Sequence, residues 1–163
     1  MARDPGVFSP SDYAALGELR YRIRHFLRFS ELAARQEGLE PQQHQLLLAV
    51  RSLEAPEGPT VGQIADWLLV RHHSAVGLID RLEEHKLVER VRAADDRRQV
   101  RVRLTAQGEH KLQRLSLSHR EELRSSGPRL VEALGELLRG FSSHAAVRNK
   151  KEEDVSAAPP PRS

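Results

Sequence analysis

The chain of 163 residues is predicted to be a mainly α-helical domain carrying one small antiparallel sheet of two or three strands. Three observations carry that expectation. Apolar residues recur at helical spacing in successive stretches, bracketed by helix-start and helix-stop residues. Strict alternation of apolar and polar residues occurs once, in "VRVRLT" near residue 100. Aromatics make up 4% and charged residues 30%, which suits helices with large charged surfaces better than a β-sandwich.

The elements follow in order. Residues 1–10 read as a loose arm. Leu16, Leu19, Ile23, Phe26 and Leu27 mark a long helix over 11–38, closed by Gly38. Pro41 suits the first position of a second helix, "PQQHQLLLAVRSL", because its missing N–H is unneeded there. After the loop "EAPEGP", Thr60 and Gln63 form a capping-box signature for a short helix with Ile64, Ala65 and Leu68 inward. A tight turn at 70–72 leads to a helix over 74–86, capped by Ser74 or His73, with Ala75, Ile79 and Leu82 inward. Two strands, "VERVR" and "VRVRLT", form a hairpin in which Val100, Val102 and Leu104 face the core and Arg101 and Arg103 face out. Thr105 caps a helix over 106–125, and Gly127–Pro128 restarts the chain in a last helix. That helix carries the stripe Leu130, Val131, Leu134, Leu137, Leu138 and Phe141. Residues 145–163, polar and proline-rich, read as a disordered tail.

Composition narrows the function. The chain has no cysteine, which removes disulfides, zinc-thiolate sites and thiol oxidant sensing. No apolar run reaches the length of roughly 18 residues that a membrane helix needs. The N-terminus lacks a signal peptide's apolar stretch, so a cytoplasmic location is expected. The eight histidines show no HExxH or paired metal spacing, and no nucleophile elbow, P-loop or dinucleotide fingerprint occurs. Neither a metal, a cofactor nor catalysis is therefore expected. Between residues 88 and 105 stand six arginines against three acids, an excess equal to the formal +3 of the whole chain. A local basic focus in a nearly neutral chain points to a polyanion held at one place.

Short helix, tight turn, second helix and hairpin is the order of a winged helix-turn-helix, over residues 60–105. A helix fits the major groove, and a basic hairpin beside it can meet the backbone or the minor groove. Arg71, His72, His73, Ser74, Gly77 and Arg81 lie at the start or on the outer side of the second helix. Imidazole and hydroxyl groups bond base edges, and glycine permits close approach. The basic wing supplies Arg97 and Arg98, and an adjacent acid can hold an arginine in one rotamer.

The stretch "LIDRLEEHKLVERV", the wing "DRRQVRVRLT" and the following "LTAQG" resemble the MarR family of bacterial transcription regulators. With the flanking helices the resemblance covers roughly residues 11–143, and a domain over 11–144 is expected. It implies a homodimer built from helices in 11–53 and 106–144, binding a pseudo-palindromic double-stranded DNA operator as a repressor. It further implies Arg98 in the minor groove, Arg97 on phosphate, and Asp80 and Asp96 as wing anchors. Lys86 stands where the family commonly ends the recognition helix with glycine. His25, Phe29 and His44 are candidates to line a pocket for a small aromatic acid effector, against the competing reading of His44 as a partly exposed interface residue. The alternative function is a winged-helix protein making architectural DNA or protein contacts without ligand sensing.

Overall fold

The computed structural model describes residues 8–53, 57–92 and 99–156, with side chains to 140 in the last stretch. Helices α1 (Pro10–Gln36), α2 (Pro41–Ser52), α3 (Val61–Leu68) and α4 (His72–Glu84) precede strands β1 (Val88–Arg92) and β2 (Val100–Leu104), and α5 (Ala106–Ser156) follows. The mainly helical class with a small antiparallel sheet is the one expected. Among the described residues no helix is long and apolar enough to cross a membrane.

The chain divides into two compact units, one of residues 28–121 and one of the residues on either side. In the first, Leu46 and Leu47 of α2, Ile64 of α3, Ile79 and Leu82 of α4, Val88, Val102 and Leu115 are fully buried in one cluster. Burying each such side chain contributes about 1.5–3 kcal/mol. The two strands pair antiparallel with Val88 opposite Leu104 and Arg90 opposite Val102, and Thr60 makes an isolated antiparallel bridge to Arg101. In the second unit Ala133 and Leu137 are buried. There Ser9 and Asp12 close the start of α1 reciprocally: Ser9 N–H donates to the Asp12 carboxylate at 2.8 Å, and Asp12 N–H to Ser9 Oγ at 3.2 Å.

Local chemistry explains the boundaries. Gly38, at φ +72°, stops α1 in the left-handed conformation. Thr60 and Gln63 make the expected reciprocal cap on α3. Thr105 Oγ1 accepts from Gly108 N–H at 3.1 Å and donates to the Lys86 carbonyl at 2.6 Å, so one hydroxyl caps α5 and fastens it to the end of the α4 segment. Lys86 is left-handed at φ +57°, a conformation that costs a non-glycine residue roughly 1 kcal/mol.

Several sequence expectations are corrected. The helix over 74–86 begins at His72, with Arg71 at the cap position and no side-chain cap, so neither Ser74 nor His73 caps it. The turn before it is made by Leu69 at φ +55°. The restart at Gly127–Pro128 does not occur, because α5 runs through Pro128. Proline's fixed φ is itself helical, so a long helix can accept the loss of one N–H. The tail expected to be disordered from 145 continues α5 to Ser156, consistent with a run free of glycine and proline. Val100 is 39% exposed rather than core-facing, since it lies at the hairpin end away from the cluster.

Gly108 shows why "LTAQG" ends in glycine. A Cβ there would overlap the Leu87 carbonyl oxygen, which is held in place by Thr105 N–H at 3.1 Å. Gly108→Ala is expected to lower the free energy of unfolding by about 1–3 kcal/mol through this overpacking, read by urea denaturation. Unchanged stability would show that the α5 junction can shift without loss.

Candidate nucleic-acid interface

The buried stripe of α4 is Ala75, Leu78, Ile79 and Leu82. Helical geometry places His73, Gly77, Asp80 and Glu84 opposite it, with Ser74 and Arg81 to one side. Of the six residues singled out at this helix, Arg71, His72, His73, Ser74 and Arg81 are exposed and Gly77 is half-buried. Arg97, Arg98 and Asp96 lie outside the described residues.

A three-residue clamp joins this helix to the hairpin. Arg90 of β1 donates from one guanidinium nitrogen to Asp80 Oδ1 at 2.6 Å and from the other to the Glu83 carboxylate. Its backbone N–H also reaches Glu83 Oε1 at 3.0 Å. Partial burial of Arg90 disfavours its charge, but the hydrogen bonds it donates to Asp80 and Glu83 outweigh that and raise its pKa. Asp80 thus meets an arginine of the first strand. Glu83 was not singled out from sequence; its signal was its position one turn after Asp80 and seven residues before an arginine.

The outward arginines of β2 do something other than expected. Arg103 Nε donates to the Glu57 carbonyl at 3.0 Å, and Arg101 reaches the Gly58 carbonyl at 3.4 Å and Gln99 Oε1 at 3.0 Å. They satisfy backbone acceptors of the loop entering α3 and are not simply presented to phosphate. Gly58, at φ +89°, is required there, because a Cβ would strike the Val102 carbonyl. The alternation correctly placed both arginines off the core face but could not show that this loop lies across them.

The candidate effector residues separate. Phe29 and His44 both pack on His119, with ring centroids 5.6 and 5.0 Å away. His119 bonds the Leu115 carbonyl at 2.6 Å and Ser30 Oγ at 2.8 Å. His25 lies in the other unit, beside Tyr21, in a cleft of about 430 Å³ that also has Arg22, Phe26, Ser125 and Arg129 in its walls. His44 is 4% exposed, which corrects the reading of it as a partly exposed residue. Its Nδ1 has no hydrogen-bond partner. Burial, with repulsion from His119 added, pushes its pKa down to about 4. Among the described residues no group of three or more histidines and carboxylates is arranged to hold a metal.

Because His44 is depressed from 6.5 to about 4, the unfolded chain takes up its proton first. Its contribution to stability is whole above pH 6.5 and is lost as pH falls toward 4, about 3 kcal/mol in all. His44→Phe should flatten the decline in unfolding free energy between pH 7 and pH 5 relative to wild type. Parallel pH profiles for the two proteins would refute this.

Comparison with known proteins finds transcription regulators among those that this chain resembles. A family model described as the MarR family matches residues 37–99. The chain is 35% identical over 65 residues to the uncharacterized HTH-type transcriptional regulator YsmB of Bacillus subtilis, covering 40% of this chain and 44% of that protein. Among solved structures it resembles AbsC, a MarR family transcriptional regulator from Streptomyces coelicolor, at TM-score 0.66 and 18% identity over 86% of this chain and 97% of that one. It resembles the transcriptional repressor CouR bound to a 23-mer DNA duplex at TM-score 0.58 and 25% identity, covering 76% and 87%. Bordetella bronchiseptica BpsR, whose DNA binding is regulated by 6-hydroxynicotinic acid, aligns at TM-score 0.57 and 23% identity, covering 76% and 95%.

Proposed function

Residues 37–99 of this chain match the model of the MarR family, and from that premise we propose that the protein is a homodimeric repressor that binds a pseudo-palindromic DNA operator. The observation that carries the reading is the outer face of α4, where exposed His73, Ser74 and Arg81 share a helix clamped to the hairpin through Arg90. A rigidly mounted helix with polar side chains on its outer face suits the major groove, and Arg71 at its start suits a phosphate. Arg98 and Arg97 of the wing extend the contact to the minor groove and backbone, with Asp96 beside them as an orienting acid.

Release by a small aromatic acid is the natural control, as BpsR responds to such a ligand. The cleft at His25 offers the chemistry for one: Arg22, Arg129 and Ser125 for a carboxylate, Tyr21 and Phe26 for a ring. The pair of Phe29 and His44 on His119 is a second candidate for ring recognition.

Binding of the full chain to an inverted repeat with half-site centres roughly 10 bp apart, against random duplex across a salt series, tests the reading. Arg98→Ala should weaken binding and flatten the slope of log K against log salt by about 1 per lost phosphate contact. Arg103→Gln should leave that slope unchanged, since Arg103 is bonded to the Glu57 carbonyl. Equal affinity for repeat and random duplex in the wild type would sink the reading.

Dimerisation rests on apolar surface. On α5, Val131, Leu134 and Leu138 are exposed, as are Tyr13, Ile23 and Leu27 on α1. Leu137 of the expected stripe is already buried within the chain, and the Phe141 side chain lies outside the described residues. Burying several such side chains at about 1.5–3 kcal/mol each offsets the cost of association. Leu134→Asp with Leu138→Asp should give monomers by sedimentation, whereas a monomeric wild type at micromolar concentration would remove the dimer.

A further inference from the structure

Gly58 and Gly108 are demanded by the backbone around them, where any side chain would collide with a carbonyl. Gly77 is different. It sits in the interior of α4, away from both ends, and its φ is not positive. A Cβ added there would meet no atom within 4 Å, which holds for Gly17 of α1 as well, so it is the place on the recognition helix that sets Gly77 apart. The fold therefore has no use for glycine at this position, and a glycine inside a helix is less stable than alanine by about 0.8–1 kcal/mol. Geometry places it near the middle of the outer face, opposite the buried stripe and one turn from His73, Asp80 and Arg81.

We propose that Gly77 is a specificity-determining residue, a notch in the recognition face that seats the 5-methyl group of a thymine. The proposal rests on the DNA-binding reading of α4. Of the features a base pair shows in the major groove, the thymine methyl is the apolar projection. The others are hydrogen-bond donors or acceptors. Gly77 has no side chain to bond them, and its peptide groups are engaged in the helix ladder. The notch is bordered by Asp80, whose carboxylate is bonded to Arg90 and so held to the hairpin side. His73 and Arg81 stand exposed beside it, able to bond polar edges of neighbouring bases while the helix axis lies close to the thymine. A larger residue at 77 would lift the helix from that base.

The test uses the full chain. A duplex is first selected from a random pool with wild-type protein, and each thymine is then replaced in turn by deoxyuridine, which lacks only the methyl. One thymine per half-site should stand out, its replacement weakening wild-type binding about fourfold, the value of one buried methyl. Gly77→Ala should bind the thymine duplex about tenfold more weakly, lose its sensitivity to that deoxyuridine, and denature at higher urea than wild type. Failure of the wild type to select any sequence removes the DNA reading and this inference with it. Selection by the wild type with no thymine methyl of consequence, or with Gly77→Ala binding as wild type does, overturns the inference and leaves the DNA reading standing. Lowered stability of Gly77→Ala would assign the glycine to the fold and overturn it as well.

Discussion

The seating of β2 at Val102 is the constraint on which the interface depends. The Val102 side chain is fully buried in the central cluster, its N–H donates to the Pro59 carbonyl at 2.9 Å, and its own carbonyl lies against Gly58. Across the ladder it faces Arg90, the residue that grips Asp80 and Glu83 of α4. One strand residue thus ties together the loop entering α3, the hairpin and, through its ladder partner, the helix whose outer face is exposed. A loosening at this point would spread to all three, because a packed core and a hydrogen-bonded ladder do not deform independently.

Charge is distributed by this seating. The basic excess of residues 88–105 looks from composition like a patch awaiting a polyanion. In the folded chain Arg90 is committed to two carboxylates, and Arg101 and Arg103 donate to backbone carbonyls. These arginines stiffen the platform. A second ion pair does comparable work at the end of α1. There Arg114 grips Glu37, its hydrogen bond being the main cause holding that carboxyl below the usual range, and Lys111 donates to the Glu37 carbonyl. Such pairs contribute little to stability where exposed, and their value lies in orientation.

Among the described residues the turn between α3 and α4 carries the most exposed of the large apolar side chains. Leu69 there is 93% exposed and left-handed, in a position glycine fills more comfortably. The turn is set instead by the bonds around it, Leu69 N–H to the Asp66 carbonyl at 3.2 Å and Val70 N–H to the Ala65 carbonyl at 3.0 Å. Nothing in the structure explains why a leucine in particular occupies it.

The sequence by itself determined the helical class, the hairpin, and the stops and caps at Gly38, Pro41, Thr60 and Thr105. Each of these follows from local periodicity or from a side chain acting within three or four residues of itself. It also marked the outer face of α4, because a 3.6-residue period separates Ala75, Ile79 and Leu82 from His73, Gly77 and Arg81. Tertiary structure alone decided what touches residues far apart in the chain. It buried His44 against His119, brought Glu83 to Arg90, and laid the loop at 57–59 across Arg101 and Arg103. It also showed that Gly58 and Gly108 are forced by carbonyls of distant residues while Gly77 faces open space. Such partners are chosen by packing between elements, and no one-dimensional pattern records which backbone acceptor a long arginine will reach.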